Sequence, residues 1–317
     1  MFWLNCNKAK LVISSSFFLL IILWLHVLDN EGKTSESVHN EESLEPKLSP
    51  KSLDDILILC LVLTHPENHK TKAYQVFNTW GRRCTYIEFL TTEPDDVIPT
   101  IVSQTREEYD HVWGKTKLGF KTAYDKYYDK VDWVMKADYD TYIIMENSCY
   151  LFSSYSPREP IWLGCVLKVA EVGLDGLEEY MMGGAGYVLS KEAVRRFNEI
   201  SLQDASFCQQ DDKGAEDLNM GKCLKGVGVV SRGSTDMNNR YLFLPFFPHS
   251  KIGQNDWSSY GSWFWDYLEH KERTGFDFCS EQAISFHYVS PDMMIMLEYI
   301  IYHLRSGVDY TSTENEI

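Results

Sequence analysis

The triplet Asp138-Tyr139-Asp140 sets two carboxylates at i and i+2 directly after an apolar run, WVMK at residues 133–136. If that run is a buried strand, both acids emerge at its C-terminal end, over the crevice where open α/β sheets bind their ligands. Carboxylate oxygens suit a hard divalent ion, and an ion held there can bridge to a nucleotide diphosphate. With 46 Asp and Glu in the chain, acids at this spacing also arise by chance, and a solvated turn is the alternative. The triplet stands between one apolar strand and a second, TYII at residues 141–144, and that placement favours the metal reading.

Other segments carry weaker signals. Gly183-Gly184-Ala185-Gly186 is a glycine-rich turn that lets backbone approach a ligand closely. It lacks the spacing and following lysine of a phosphate loop, so ATP or GTP binding is not implied; a tight turn between core elements is the alternative. Asp217 precedes LNMGKCL and is of a type that caps helix N-termini. His287, in SFHYV, follows an apolar stretch where a lone histidine is commonly a satisfied core residue. Trp263 and Trp265 in GSWFWDY can wall a sugar site or pack the core.

The elements that must position these residues read as α/β. Residues 56–64 (ILILCLVLT) form a continuous apolar run, as in a parallel strand buried on both faces. Residues 70–80 have a helical pattern and residues 86–90 (YIEFL) a strand pattern, together a βαβ unit. Residues 116–128 are again helical and lead into the 133–136 strand, which is expected to stop at Ala137 and Asp138. No repeat with a period of about 20 to 50 residues is present, which excludes a solenoid.

At 317 residues the chain accommodates one sizeable domain plus appendages. Its 30 Lys and Arg against 46 Asp and Glu give a net charge of −16, so it presents no field for nucleic acid. Residues 11–28 (LVISSSFFLLIILWLHVL) are apolar and just long enough to span a bilayer. Lys8 and Lys10 precede them while Asp29 and Glu31 follow, predicting type II topology. A cleaved signal peptide is the alternative, although the run exceeds a typical signal core and no small-x-small site follows. Residues 1–10 are then a cytosolic tail, 29–55 a polar flexible stem, 56–305 the folded domain and 306–317 a C-terminal tail. All cysteines but Cys6 fall on the lumenal side, where disulfides form. Their odd number leaves at least one thiol free or joined to another chain, and the lack of C-x-x-C spacing argues against structural zinc.

Taken in order, NTWGRRC (78–84), WVMKADYDTY (133–142), YMMGGAGYVLSKEA (180–193), EDLNMGKCL (216–224), SFHYV (285–289) and LEYIIYHLR (297–305) resemble the β1,3-glycosyltransferase family with the GT-A fold. Within it the resemblance is to the core 1 β1,3-galactosyltransferases, and it covers residues 56 to 305. It implies a mostly parallel central sheet flanked by helices behind an N-terminal transmembrane helix, in a Golgi membrane protein with its catalytic domain in the lumen. It implies inverting transfer of galactose from UDP-galactose to O3 of N-acetylgalactosamine (GalNAc) on Ser or Thr of glycoproteins. By the same resemblance Asp138, Asp140 and His287 hold Mn²⁺, and Asp217 is the general base with Glu216 as its understudy. Trp113, Lys115 and Gly184 join the two acids at the donor, and the 183–186 turn lines the sugar cleft. Disulfides Cys60–Cys84 and Cys208–Cys223 and a homodimer are also implied. The chain departs from the family in having Tyr139 for a middle aspartate and Phe278 beside Cys279 for adjacent cysteines. Two other readings stay open: a non-catalytic chaperone-like paralogue, which would lack the D-x-D acids, and a fringe-like enzyme with another donor sugar.

Overall fold

The structure, a computed structural model, describes residues 55–169, 177–232, 235–247, 267–268 and 275–305. All of them belong to the compact unit Pro50–Ile317. Among the described residues no helix is long and apolar enough to cross a membrane. The expected span at 11–28, the tails, the stem up to residue 54, and Trp263 and Trp265 lie outside the described residues.

Strand β1 (Ile58–Leu63) is buried along its whole length. Alternate side chains point to opposite faces of a strand, so Ile58, Cys60 and Val62 enter one core and Leu59, Leu61 and Leu63 another. That two-sided burial is why the run is uninterruptedly apolar, and why β1 sits mid-sheet. It pairs in parallel with β2 (Tyr86–Thr91) and β4 (Trp133–Asp138). β3 (Thr100–Val102) extends the β2 edge.

On the other flank lie β6 (Ile161–Gly164), β9 (Tyr187–Ser190) and β10 (Val230–Arg232), giving the seven-stranded order β10-β6-β9-β4-β1-β2-β3. Strand β9 runs antiparallel to both its neighbours while the other pairings are parallel, so the sheet is mixed. β7 (Val166–Lys168) and β8 (Glu179–Met181) form a separate hairpin-like pair. Helices α2 (Val112–Thr122), α4 (Lys191–Glu199) and α5 (Glu216–Gly226) cover one face with Trp113, Phe120, Phe197, Met220 and Leu224. The other face carries α1 (Tyr74–Asn78), α3 (Met145–Phe152) and α6 (Pro291–Tyr302). The expected helix at 70–80 is a π turn, His69–Ala73, running into α1, and the helix expected at 116–128 begins earlier, at Val112, and ends in a second π turn, Ala123–Tyr127.

A small sheet sets the site. β5 (Tyr142–Ile143) follows the acidic triplet and pairs antiparallel with β12 (Ser285–Phe286), which pairs in parallel with β11 (Phe243–Leu244). Through this sheet, in which Ser285 pairs with Ile143, a segment 142 positions downstream is laid beside the end of β4. Cystines join Cys60 to Cys84 and Cys208 to Cys223. Phe278 is buried against Tyr241, and burial pushes the Cys279 thiol up to about 11, which keeps it unreactive at neutral pH.

Candidate active site

Strand β4 runs through Asp138, where the strand was expected to stop, and Leu63 pairs with Asp138 across β1 and β4. The chain then turns: Thr141 donates its N–H to the Asp138 carbonyl at 3.0 Å, while the Asp138 N–H donates to the Thr141 hydroxyl at 3.2 Å. Asp138, Tyr139 and Asp140 are half-buried at this turn. β12 then delivers His287, whose N–H donates to the Leu244 carbonyl at 3.1 Å; two residues on, Val289 N–H donates to the Asp140 carbonyl at 2.9 Å.

His287 Nε2 lies 3.3 Å from Asp140 Oδ1 and 3.9 Å from Asp138 Oδ2. One donor atom from each of the three residues falls within 4.8 Å of the others. The opposite ring nitrogen, Nδ1, is 3.2 Å from the Pro245 carbonyl, which can only accept, so Nδ1 carries a proton. In the neutral imidazole Nε2 is then a lone pair facing two carboxylates, three acceptors about one point. A divalent cation satisfies all three, and a backbone carbonyl behind the ring is the usual orienting partner of a metal-binding histidine. The donor set of two carboxylates and one imidazole fits a borderline ion beside oxygen ligands.

The glycine turn makes room for the ring. A Cβ on Gly184 would lie 2.1 Å from His287 Cε1, and one on Gly183 2.8 Å from Glu216 Oε2. Gly186 has φ +77, in the left-handed region that favours glycine. Side chains tie the turn to every strand of the site: Thr141 Oγ1 donates to the Gly184 carbonyl at 2.9 Å, Ser285 Oγ to that of Ala185 at 2.6 Å and Lys136 Nζ to that of Gly183 at 3.1 Å.

Lys136 is the residue that sequence reasoning missed. Buried at the centre of β4, its ammonium lies 2.8 Å from Asp138 Oδ1 and 3.3 Å from Glu216 Oε2. Burial alone would lower its pKa; Asp138 and Glu216 outweigh that and hold it protonated. A lysine inside an apolar strand two positions before an acid, hence on the same strand face, was the available signal. Glu216 spends its other oxygen on the Tyr187 hydroxyl, so both its oxygens are taken and it acts as a holder.

Asp217 lies in the first turn of α5, whose N-cap is Ala215, so the expected N-cap position falls elsewhere. Its Oδ2 accepts the Gly183 N–H at 3.1 Å and its Oδ1 the Leu218 N–H at 2.9 Å. Burial raises its pKa above the ordinary value against these hydrogen bonds and Lys136, which suits a carboxylate that must take a proton. Lys115 is buried and donates to the Thr64 carbonyl at 3.0 Å and Glu107 at 2.5 Å, just past the end of β1. Trp113 is wholly buried, packs on Phe197 and donates its indole N–H to the Gln209 carbonyl at 3.0 Å; it supports the 209 loop and does not open onto the crevice. Tyr139 meets His65 edge to face at 5.3 Å and carries Lys72 over its ring at 4.3 Å.

The Fringe-like family model matches residues 51–260. The chain is 36% identical over 287 residues to the Xenopus laevis glycoprotein-N-acetylgalactosamine 3-beta-galactosyltransferase 1, covering 90% of this chain and 76% of that one. The chain belongs to the Fringe-like family. A mouse beta-1,3-glucosyltransferase is 29% identical over 174 residues, 54% of this chain and 34% of the relative. Among solved structures, galactosyltransferase LgtC in complex with donor and acceptor sugar analogs is similar with TM-score 0.42 and 10% identity, over 78% of this Fringe-like chain and 98% of that one. A Drosophila galactosyltransferase 7 mutant solved with manganese, UDP-Gal and xylobiose gives TM-score 0.34 and 14% identity over 57% and 67%. Membership therefore rests on the sequence matches.

Proposed function

We propose that this Fringe-like chain is an inverting β1,3-galactosyltransferase that moves galactose from UDP-galactose to O3 of GalNAc O-linked to Ser or Thr of glycoproteins. The observation that carries it is the meeting of Asp138, Asp140 and His287 Nε2 around one point at the open end of the sheet, in a chain 36% identical to an enzyme of that name. The site is of the GT-A kind, and Mn²⁺ is the ion its mixed oxygen and nitrogen donors suit. Bound there, the ion would neutralise charge on the departing diphosphate.

The chain's own residues do the rest. Asp138, Asp140 and His287 would hold the ion that meets the diphosphate, and Gly184 keeps His287 turned toward the two acids. Lys136 links that corner to α5, which places Asp217 beside the Gly183 backbone. Asp217 takes the proton from the acceptor 3-hydroxyl as its oxygen bonds to C1 of galactose. The C1–O bond to UDP breaks and its electron pair leaves with UDP. A displacement in one step inverts the anomeric carbon and needs no covalent intermediate.

The apolar run at 11–28 with its flanking charges supports a type II Golgi membrane protein with residues 56–305 in the lumen, and the odd lumenal cysteine count is compatible with a homodimer. The test is direct. The full-length protein in detergent, given UDP-galactose, Mn²⁺ and a GalNAc-peptide, should form a β1,3 linkage readable by NMR, and chelation should abolish it. Protein that binds UDP with Mn²⁺ yet transfers no sugar overturns the reading.

A further inference from the structure

Helix α6 is apolar on two sides. Its inner side is fixed to the domain: Met294 is buried, and Met293 and Leu297 pack on the same core. Glu298 accepts from Arg83 Nη1 and Nη2 at 3.0 and 2.7 Å and from the Tyr142 hydroxyl at 3.0 Å. The Tyr302 hydroxyl donates to Glu146, and the Arg83 guanidinium lies 3.5 Å from the centre of the Tyr302 ring. At the start of the helix the Ser290 side chain accepts the Met293 N–H. The helix is thus held along its length, and its outer side is presented in one orientation.

That outer side carries Asp292, Ile295, Met296, Tyr299, Ile300 and the C-cap His303, the i, i+3, i+4, i+7, i+8, i+11 spacing of a single helix face. Its four central side chains are 51%, 49%, 52% and 48% exposed in that order, and the acid and imidazole at its ends are exposed too. Scattered exposed apolar residues are ordinary, whereas a contiguous stripe marks a contact surface. Asp292, Met296, Tyr299 and His303 repeat at four, three and four, the seam by which one helix lies along another. The seam is also symmetric. Asp292 and His303, Met296 and Tyr299, and Ile295 and Ile300 are each equidistant from the midpoint between Leu297 and Glu298.

We propose that the outer face of α6 is the interface between two copies of this chain, whose α6 helices pack antiparallel about a two-fold axis at that midpoint. A two-fold contact presents the same patch from both copies and must be complementary to itself, which is what the symmetric order of these residues provides. Antiparallel packing sets Met296 of one copy against Tyr299 of the other at the centre, with Ile295 and Ile300 flanking the seam. At each end the Asp292 carboxylate of one copy meets the His303 imidazole of the other, an acceptor against a donor. Parallel packing would set acid on acid and imidazole on imidazole, so the polar ends fix direction and register. A lipid surface or an unrelated protein requires no such symmetry. The inference rests on the homodimer reading and deepens it by giving the dimer a face; it is independent of the transfer chemistry.

The test uses full-length chains carrying two different tags, one Met296→Cys and the other Tyr299→Cys, co-expressed and treated with a short bis-maleimide before detergent extraction. A product bearing both tags should form, well above that from co-expressed wild-type chains, which corrects for native thiols. Adding Ile300→Glu to both chains should cut that product about tenfold or more, because symmetry brings two unpaired carboxylates to one apolar seam. Its melting temperature should hold, since Ile300 is exposed in the single chain. No mixed-tag product above the wild-type level, or one that Ile300→Glu leaves unchanged, overturns the proposal. Light scattering of the wild-type protein in detergent then separates the two failures. A dimeric mass keeps the homodimer reading and moves its interface elsewhere, whereas a monomeric mass removes both and leaves the face to a lipid surface or another protein. No readout uses sugar transfer, so the catalytic reading stands or falls apart from this one.

Discussion

The imidazole of His287 rests against the backbone of Gly184: a Cβ at position 184 would fall 2.1 Å from Cε1, 2.4 Å from Nδ1 and 2.7 Å from Nε2. The contact is with the ring itself, which Pro245 and β12 hold from behind, so the ring has little freedom to yield. Gly184→Ala should therefore rotate or displace Nε2 from the two carboxylates. The expected result is Mn²⁺ affinity weakened about ten- to a hundredfold, measured by calorimetry, with the melting temperature nearly unchanged.

Lys136 offsets two carboxylates at once, buried Glu216 and half-buried Asp138. Lys136→Met removes the partner of Asp138 and Glu216 and leaves their charge uncompensated, at a cost of about 3–5 kcal/mol. Thermal unfolding should show a fall of roughly 10 °C or more. Adding Glu216→Gln should recover part of the loss, because it removes one of the stranded charges; a double variant no more stable than Lys136→Met would show that the ion pair is not the cause.

Asp217 and Glu216 are neighbours with different work. Asp217→Asn should lower kcat by about 10²- to 10⁴-fold while UDP and Mn²⁺ affinity hold, since its amide can still accept the Gly183 N–H. Glu216→Gln should act first on stability, through Lys136 and Tyr187. Equal effects of the two substitutions on kcat, with no difference in melting, would undo this division of roles.

On α4, Glu192 takes hydrogen bonds from Arg195 Nε and Nη2 and from Arg196 Nε, each at 2.8 Å. The Arg195 bonds, outweighing burial, lower its pKa from 4.5 to about 2. A carboxylate depressed in the folded state stabilises fully above its unfolded pKa and loses that contribution as pH falls toward the folded one. The melting difference between wild type and Glu192→Gln should thus be constant above about pH 6 and shrink as pH drops from about 4.5 toward 2. Added salt should reduce it as well, because the pair is near the surface.

Much of the sheet was legible in the sequence because two-sided burial and strand alternation are local patterns: ILILCLVLT reads as a strand buried on both faces, and the strand at 133–136 was expected to stop at Ala137 and Asp138, where β4 ends. The mixed character of the sheet was not, since β9 is short and apolar and reads the same in either direction. Likewise the expected N-cap at Asp217 moved to Ala215, because cap propensity is a weak local preference and the carboxylate found the Gly183 N–H across the fold instead.

What the sequence determined by itself was chemistry and family: two acids after a buried strand, an ordered set of family segments, an apolar run at 11–28 and a net charge of −16. The tertiary structure decided which groups meet. Pairing of β5 with β12 brings His287 to Asp140, the lack of a Cβ at Gly184 lets the ring stay, and a buried Lys136 ties the acids to α5. These depend on contacts between residues far apart in the chain, where position is fixed by packing and hydrogen bonding across elements, and no local pattern of side chains encodes such distances.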